Sequence, residues 1–439
     1  MIKDRFSQHR TAILFAGMAG LLLMVGFLQS WNLSLAIVNL CLISAIMALG
    51  INIQWGYAGL LNVGVMGFVA LGGLAAVLVS APPVQEAWEA GGSGIIVSAI
   101  ALTLTITAMW FVHGRTSGRN RLLIKTAIGV AGYFITRAFF TPAVEAIEVI
   151  NPATSGYLGG LGLPILLSWI VGGIFAAGAA FVVGKVALGL RSDYLAIATL
   201  GISEIIIAIL KFEDWMTRGV KNVIGLPRPV PYEVNIQKSP FFQELAADFN
   251  IPLIEFSSII VKLCYASLFG IVLLFLLYLA EKALNSPWGR MMRAIRDNET
   301  AAEAMGKNVT GRHLQVFVLG SAIIGVAGAM LTTLDGQFTP ASYQPLRFTF
   351  LIWVMVIVGG SGNNFGAVLG GFLIWFAWVE AEPVGLMLME FITSGMAEDY
   401  WLRDHLLNSA AHMRLMTMGL ILLLVLRFAP QGLIPERRR

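Results

Sequence analysis

The sequence predicts an all-α polytopic integral membrane protein, and three observations carry that expectation. First, 57% of the 439 residues are hydrophobic and only 12% are charged, whereas soluble domains carry about 25% charged residues. Second, apolar runs recur along the chain at the length of about 20 residues that a helix needs to cross hydrocarbon. Third, Lys and Arg concentrate in alternate connections between those runs, as the positive-inside rule requires. A spanning chain must satisfy its own backbone polar groups, so the runs are helices and not open sheet. The net charge of +4 is scattered between the apolar runs, which fits loop charge at a membrane and gives no footing for a nucleic-acid partner.

Taken in order, the runs place spans at 11–30, 34–54, 57–80, 95–113, 122–142, 164–184, 192–211, 258–280, 314–334, 346–362, 366–381 and 413–429, about 12 transmembrane or re-entrant helices. Lys3, Arg5 and Arg10 precede the first. It is too long for a signal peptide and no A-x-A-type cleavage site follows, so it reads as an uncleaved span with its basic end in the cytoplasm. With the N-terminus inside, the inner loops carry Arg115, Arg119 and Arg121, then Lys185 and Arg191, then Lys282 to Arg312, and finally Arg437, Arg438 and Arg439. The outer loops carry Glu86, Glu89, Glu145 and Glu148, a mixed stretch from Glu213 to Glu255, and Glu382, Glu390, Glu398, Asp399 and Asp404. Both termini are therefore expected inside. The pair 346–362 and 366–381, joined by Gly359-Gly360-Ser361-Gly362-Asn363-Asn364, reads either as two crossings or as a broken hairpin.

This divides the chain into N-terminal spans (1–81), an inserted helix pair with its flanking loops (82–163), core spans (164–433) and a basic tail (434–439). The core includes a proline-rich outer cap at 212–257, with a short helix expected near 240–249, and a cytoplasmic loop at 281–313. Glycines inside spans, such as Gly72, Gly172 and Gly370, serve either close helix packing or a helix break that exposes backbone. Cys41 and Cys264 sit in apolar runs and read as inert thiols, and no His or Cys spacing suits a metal. No catalytic constellation, metal or cofactor is expected, and the chain does not read as an enzyme.

The loop from Ser286 to Arg312 has unusual helix grammar. Ser286 with Pro287 starts one helix, with Met291 and Ile295 expected on one face. Thr300 with Glu303 suits a capping box for a second, which Gly306 would end. Two short helices with an alanine face (Ala301, Ala302, Ala304) and charged flanks (Arg293, Asp297, Glu303) make a compact docking knob.

The run RAIRDNETAAEAMGKNVT resembles the cytoplasmic loop of permeases in the branched-chain amino acid ATP-binding-cassette (ABC) importers, LivM type. Three further blocks are similar to that family in the same order: Ala48–Asn52 leading to Gly56–Gly59, Leu190–Gly201 followed by Glu204, and Val358–Gly370. The ending Arg427–Leu433 also resembles the family's. The resemblance implies the ABC importer permease fold and alternating access. It also implies a homologous second permease subunit, two cytoplasmic ATPase subunits and a periplasmic substrate-binding protein as partners. No GxxxxGK[ST] loop occurs, since Gly184-Lys185 is followed by Val and Gly306-Lys307 by Asn, so a partner would handle ATP. The inserted pair and the stretch 216–226 depart from the family pattern, and the latter leaves the substrate open between a branched-chain or other apolar amino acid and urea or a short amide.

Gly59, Asn62, Thr199 and Glu204 are the candidates for the translocation path. Glu204 is an ionisable residue deep in a span, either functional or bonded to a neighbouring helix. It is also the one obvious carboxylate for the rival reading, an ion-coupled secondary transporter.

Overall fold

The computed structural model describes residues 2–115, 118–151, 155–190, 192–396 and 400–436, with no side-chain detail for 2–8, 118, 119 and 192. Arg191, Glu398, Asp399, Arg437, Arg438 and Arg439 lie outside the described residues, as do the side chains of Lys3, Arg5 and Arg119.

Among the described residues, ten helices are long and apolar enough to cross a membrane, and two shorter apolar helices accompany them. The chain runs through α1 (Ile2–Leu28), α2 (Trp31–Ile51), α3 (Val65–Ser80), α4 (Ser93–Arg115), α5 (Gly118–Val149), α6 (Leu166–Ala187) and α7 (Ser192–Phe212). It continues through α8 (Leu253–Leu284), the short α9 (Pro287–Asp297) and α10 (Glu299–Ala304), α11 (Val309–Asp335), α12 (Pro345–Gly359), α13 (Asn364–Thr393) and α14 (Met413–Phe428). The protein is an all-α, multi-pass membrane protein. The twelve apolar segments expected are all helical in part, but α3 and α12, at 16 and 15 residues, rise only about 24 and 22 Å. That falls short of the about 30 Å of hydrocarbon, so neither is long enough to cross as a helix alone.

Two expectations need correction. The segment 57–80 is not one helix, because residues 59–64 run non-helically before α3 begins. Glu145, Glu148, Glu382 and Glu390 are not in loops: α5 continues to Val149 and α13 to Thr393, and Asp404 lies in the helix Trp401–Asn408. Within α13, Glu382 is paired to Arg414 and the nearby Glu380 accepts from Gln29 Nε2 at 2.9 Å.

α2 and α11 form the enclosed centre, with α3 and α6 beside them. Close approach is the reason for glycine here. A Cβ on Gly72 would strike the Gly325 carbonyl and one on Gly325 the Gly172 carbonyl, so α3, α11 and α6 meet backbone to backbone. Small residues permit that contact in a membrane. α4 and α5 pack on each other and bury almost nothing else. Their footing is at one end, where Ile147 is buried with Ala87 and Leu158 and Phe140 meets Trp215 edge-on at 5.6 Å. The cap holds two short helices, Glu233–Lys238 and Pro240–Asp248. A two-residue strand, Val223–Ile224, pairs antiparallel with Gln337–Phe338 and ties the cap to the end of α11.

Candidate functional site

Two helix breaks and the 286–312 knob meet at one end of the molecule. At the first break α2 widens into a π-helical turn, Asn52–Gly56, and Gly59 (φ +71°) then turns the chain out of the helix. Irregular backbone at membrane depth is tolerated where protein satisfies it, and here the partners are identifiable. Asn62 Nδ2 donates to Gln54 Oε1 at 2.8 Å and Asn62 Oδ1 accepts from the Gly64 N–H at 2.9 Å. Gln54 Nε2 donates to the Phe317 carbonyl (2.9 Å) and Ser321 Oγ (3.0 Å) of α11. Trp353 Nε1 of α12 donates to the Asn62 carbonyl at 3.0 Å, and the Val63 N–H donates to Thr199 Oγ1 of α7 at 3.1 Å.

The second break separates α12 from α13. Gly360 (φ +118°) and Gly362 (φ +80°) adopt conformations closed to most side chains. Asn363 caps α13, its Oδ1 accepting from the Phe365 and Gly366 N–H groups at 3.0 and 3.2 Å. The two breaks touch through Asn52, whose Oδ1 accepts from the Gly362 N–H (2.9 Å) while its Nδ2 donates to Asn364 Oδ1 (3.0 Å). Asn364 Nδ2 passes the chain of bonds to Glu281 Oε1 on α8 at 2.9 Å.

The knob is built much as its grammar suggests, with different caps. Ser286 has extended backbone before Pro287, but its hydroxyl donates back to the Ala283 carbonyl at 2.6 Å. Asn298, not Thr300, caps α10, its Oδ1 accepting from the Ala301 N–H at 3.0 Å. Asparagine two residues upstream takes the N-cap, so the Thr300–Glu303 box does not form. Gly306 (φ +76°) closes α10 as expected, with Lys307 N–H bonding to Ala302 O and Gly306 N–H to Glu303 O, the Schellman pattern. The inward face of α9 is Gly289, Met292 and Ile295, with Met291 half-buried beside it.

The expected alanine face is divided. Ala301 and Ala304, three residues apart, are exposed together, while Ala302 turns about 100° from Ala301 and is buried against its own chain. Glu303 is exposed, and Met305 presents a bare thioether side chain at 79% exposure. Arg293 points back into the molecule, donating to the Leu284 carbonyl at 3.4 Å, and Asp297 pairs with Arg296 at 3.2 Å.

Of the path candidates, Gly59, Asn62 and Thr199 come together around the first break. Gly59 is exposed, whereas Asn62 and Thr199 are buried and bonded. Glu204 does not join them: it lies on the outward face of α7 and makes no hydrogen bond or ion pair among the described residues.

The sequence reading missed Gln54, Asn364, Glu281, Arg296 and Glu436. Arg296, on α9, donates from Nη1 to the Gly56 carbonyl and pairs through Nη2 with Glu436 at 3.0 Å. Burial works against its charge, and the bonds and charges of Glu436 and Asp297 outweigh it, raising its pKa. A cavity of ≈ 1150 Å³ opens beside it, lined by Tyr57, Glu281, Arg290, Arg293 and Glu436 among others. Gln54 was legible as a polar residue inside an apolar run, but Arg296 and Glu436 are far apart in sequence and carry no local signal.

The site thus consists of a core of glycine-packed helices, two glycine-rich breaks and a capped two-helix knob. The family described as branched-chain amino acid transport system, permease component, matches residues 143–426. The chain is 25% identical over 397 residues to a probable branched-chain amino acid transport permease protein LivM of Methanocaldococcus jannaschii, covering 89% of this chain and 90% of that one. It is 26% identical over 337 residues to the high-affinity branched-chain amino acid transport system permease protein LivM of Salmonella typhimurium, covering 76% and 69%. A shorter likeness, 26% over 148 residues, covers 31% of this chain and 41% of the fructose import permease protein FrcC of Rhizobium meliloti. No solved structure matches. With its family match extending from the end of α5 into α14, the chain belongs to the permease components of branched-chain amino acid transport systems.

Proposed function

We propose that this chain is the membrane-spanning permease subunit of an ABC importer in a bacterial plasma membrane, with both termini cytoplasmic, and that it carries branched-chain or other apolar amino acids inward by alternating access. A homologous second permease, two cytoplasmic ATPase subunits and a periplasmic binding protein complete the assembly. The observation that carries this reading is the knob, two capped helices with an exposed face at Ala301, Ala304 and Met305, joined through Arg296 to the break in α2. Such an exposed face suits a second protein that docks on it and moves it.

Glu204 supports a path along the boundary with the second permease. A carboxylate at membrane depth costs about 2.5–3.5 kcal/mol against lipid, so the outward face of α7 is better matched to protein or water. In this reading Gly59 and Glu204 border the path, while Asn62 and Thr199 hold its wall. The name of the relative from Salmonella typhimurium supports the substrate class.

The reading is tested by identifying the ligand of the cognate binding protein and measuring uptake by the assembled complex in proteoliposomes. ATP-dependent leucine uptake is expected. A bound urea or amide would move the substrate, and uptake driven by an ion gradient without the ATPases would overturn the reading.

A further inference from the structure

We propose that Arg296 is the positioning residue through which the knob moves both helix breaks at once, with Glu436 as its counter-ion; this rests on the knob being the ATPase contact. Three observations carry it. At the end of α2 the Gly59 N–H returns to the Trp55 carbonyl and the Leu60 N–H to the Gln54 carbonyl. The Gly56 carbonyl takes its donor from Arg296. The first break is thus closed by a side chain from α9.

Glu436 is equally well fixed on the other side. The Leu433 and Ile434 N–H groups donate to the Val358 and Gly359 carbonyls at 2.8 Å each, finishing α12. Asn363 Nδ2 donates to the Pro435 carbonyl at 3.1 Å. A displacement of Glu436 is therefore a displacement of the α12–α13 break. Arg296 itself is half-buried on α9, next to the buried Ile295. Its guanidinium reaches a carbonyl of one break and a carboxylate tied to the other. A lysine ammonium is a single point charge and cannot hold that fork geometry.

The experiment uses the whole complex in proteoliposomes, measuring leucine transported per ATP hydrolysed for wild type, Arg296→Gln, Arg296→Lys and Glu436→Gln. The ratio is expected to fall about tenfold in both Arg296 variants and severalfold in Glu436→Gln, with the ATPase still co-purifying. Glu436→Gln is nearly isosteric and that side chain is 20% exposed, so this variant tests the idea even if the Arg296 variants fold poorly. An undiminished ratio in Glu436→Gln and Arg296→Lys overturns the role given to Arg296. So does a loss of thermal stability in which transport and hydrolysis fall together at constant ratio. A wild-type complex that hydrolyses ATP without transport counts instead against the underlying functional reading.

Discussion

Glu204 lies on the exposed face of α7, where the proposed assembly would set it against a neighbouring subunit or water. Glu204→Gln keeps size and hydrogen-bonding capacity while removing the charge, and leucine uptake is expected to fall at least tenfold at normal membrane abundance. Unchanged uptake would remove Glu204 from the path. Asn62 behaves differently. Its side chain satisfies both Gln54 Oε1 and the Gly64 N–H, and Asn62→Ala strands two buried groups. A loss of about 2 kcal/mol is expected, read as a lower thermal midpoint of the purified protein; an unaltered midpoint would contradict the network. The depth of Glu204 was legible in the sequence because hydropathy reports depth. Its facing was not, since the exposed side of α7 depends on which helices pack against it.

At the scale of elements, hydropathy located every apolar helix and blurred its breaks. The stretch 57–80 is apolar throughout, yet the non-helical run 59–64 is held by Thr199 and Trp353 from distant helices, which no local pattern encodes. α13 ran on past its expected end for the same reason, because Arg414, distant in sequence, pairs with Glu382, which looks like a loop residue in isolation. The two helices of the knob were legible because capping is local; the capping side chain shifted to Asn298, and the burial of Ala302 depends on packing that no local pattern encodes. The knob's exposed face predicts that Ala304→Arg abolishes transport and ATPase co-purification without loss of abundance, whereas Ala302→Arg also disturbs its own packing and lowers stability. Retention of both activities in Ala304→Arg would rule the knob out as the docking surface. For the helix pair α4–α5, deletion of 93–146 with a glycine linker is expected to leave transport measurable, since Ile147 and Leu158 keep the buried footing. Removing 155–163 as well would not be neutral, because Leu161 and Leu163 bond to the end of α3. Complete loss of folding in the shorter deletion would show the pair to be integral.

Over the whole molecule, the breaks, the knob and the C-terminal segment converge at one end, and the proline-rich cap occupies the other. The account requires that the knob end face the cytoplasm and touch the ATPase. Met305→Cys, in a chain whose Cys41 and Cys264 are replaced by alanine, tests both at once because the Met305 side chain is 79% exposed. A short bifunctional thiol reagent is expected to join residue 305 to an ATPase subunit in the assembled complex, and a membrane-impermeant maleimide applied to intact cells should leave it unlabelled. Labelling from outside the cell, or cross-linking to the binding protein in place of the ATPase, would contradict the account.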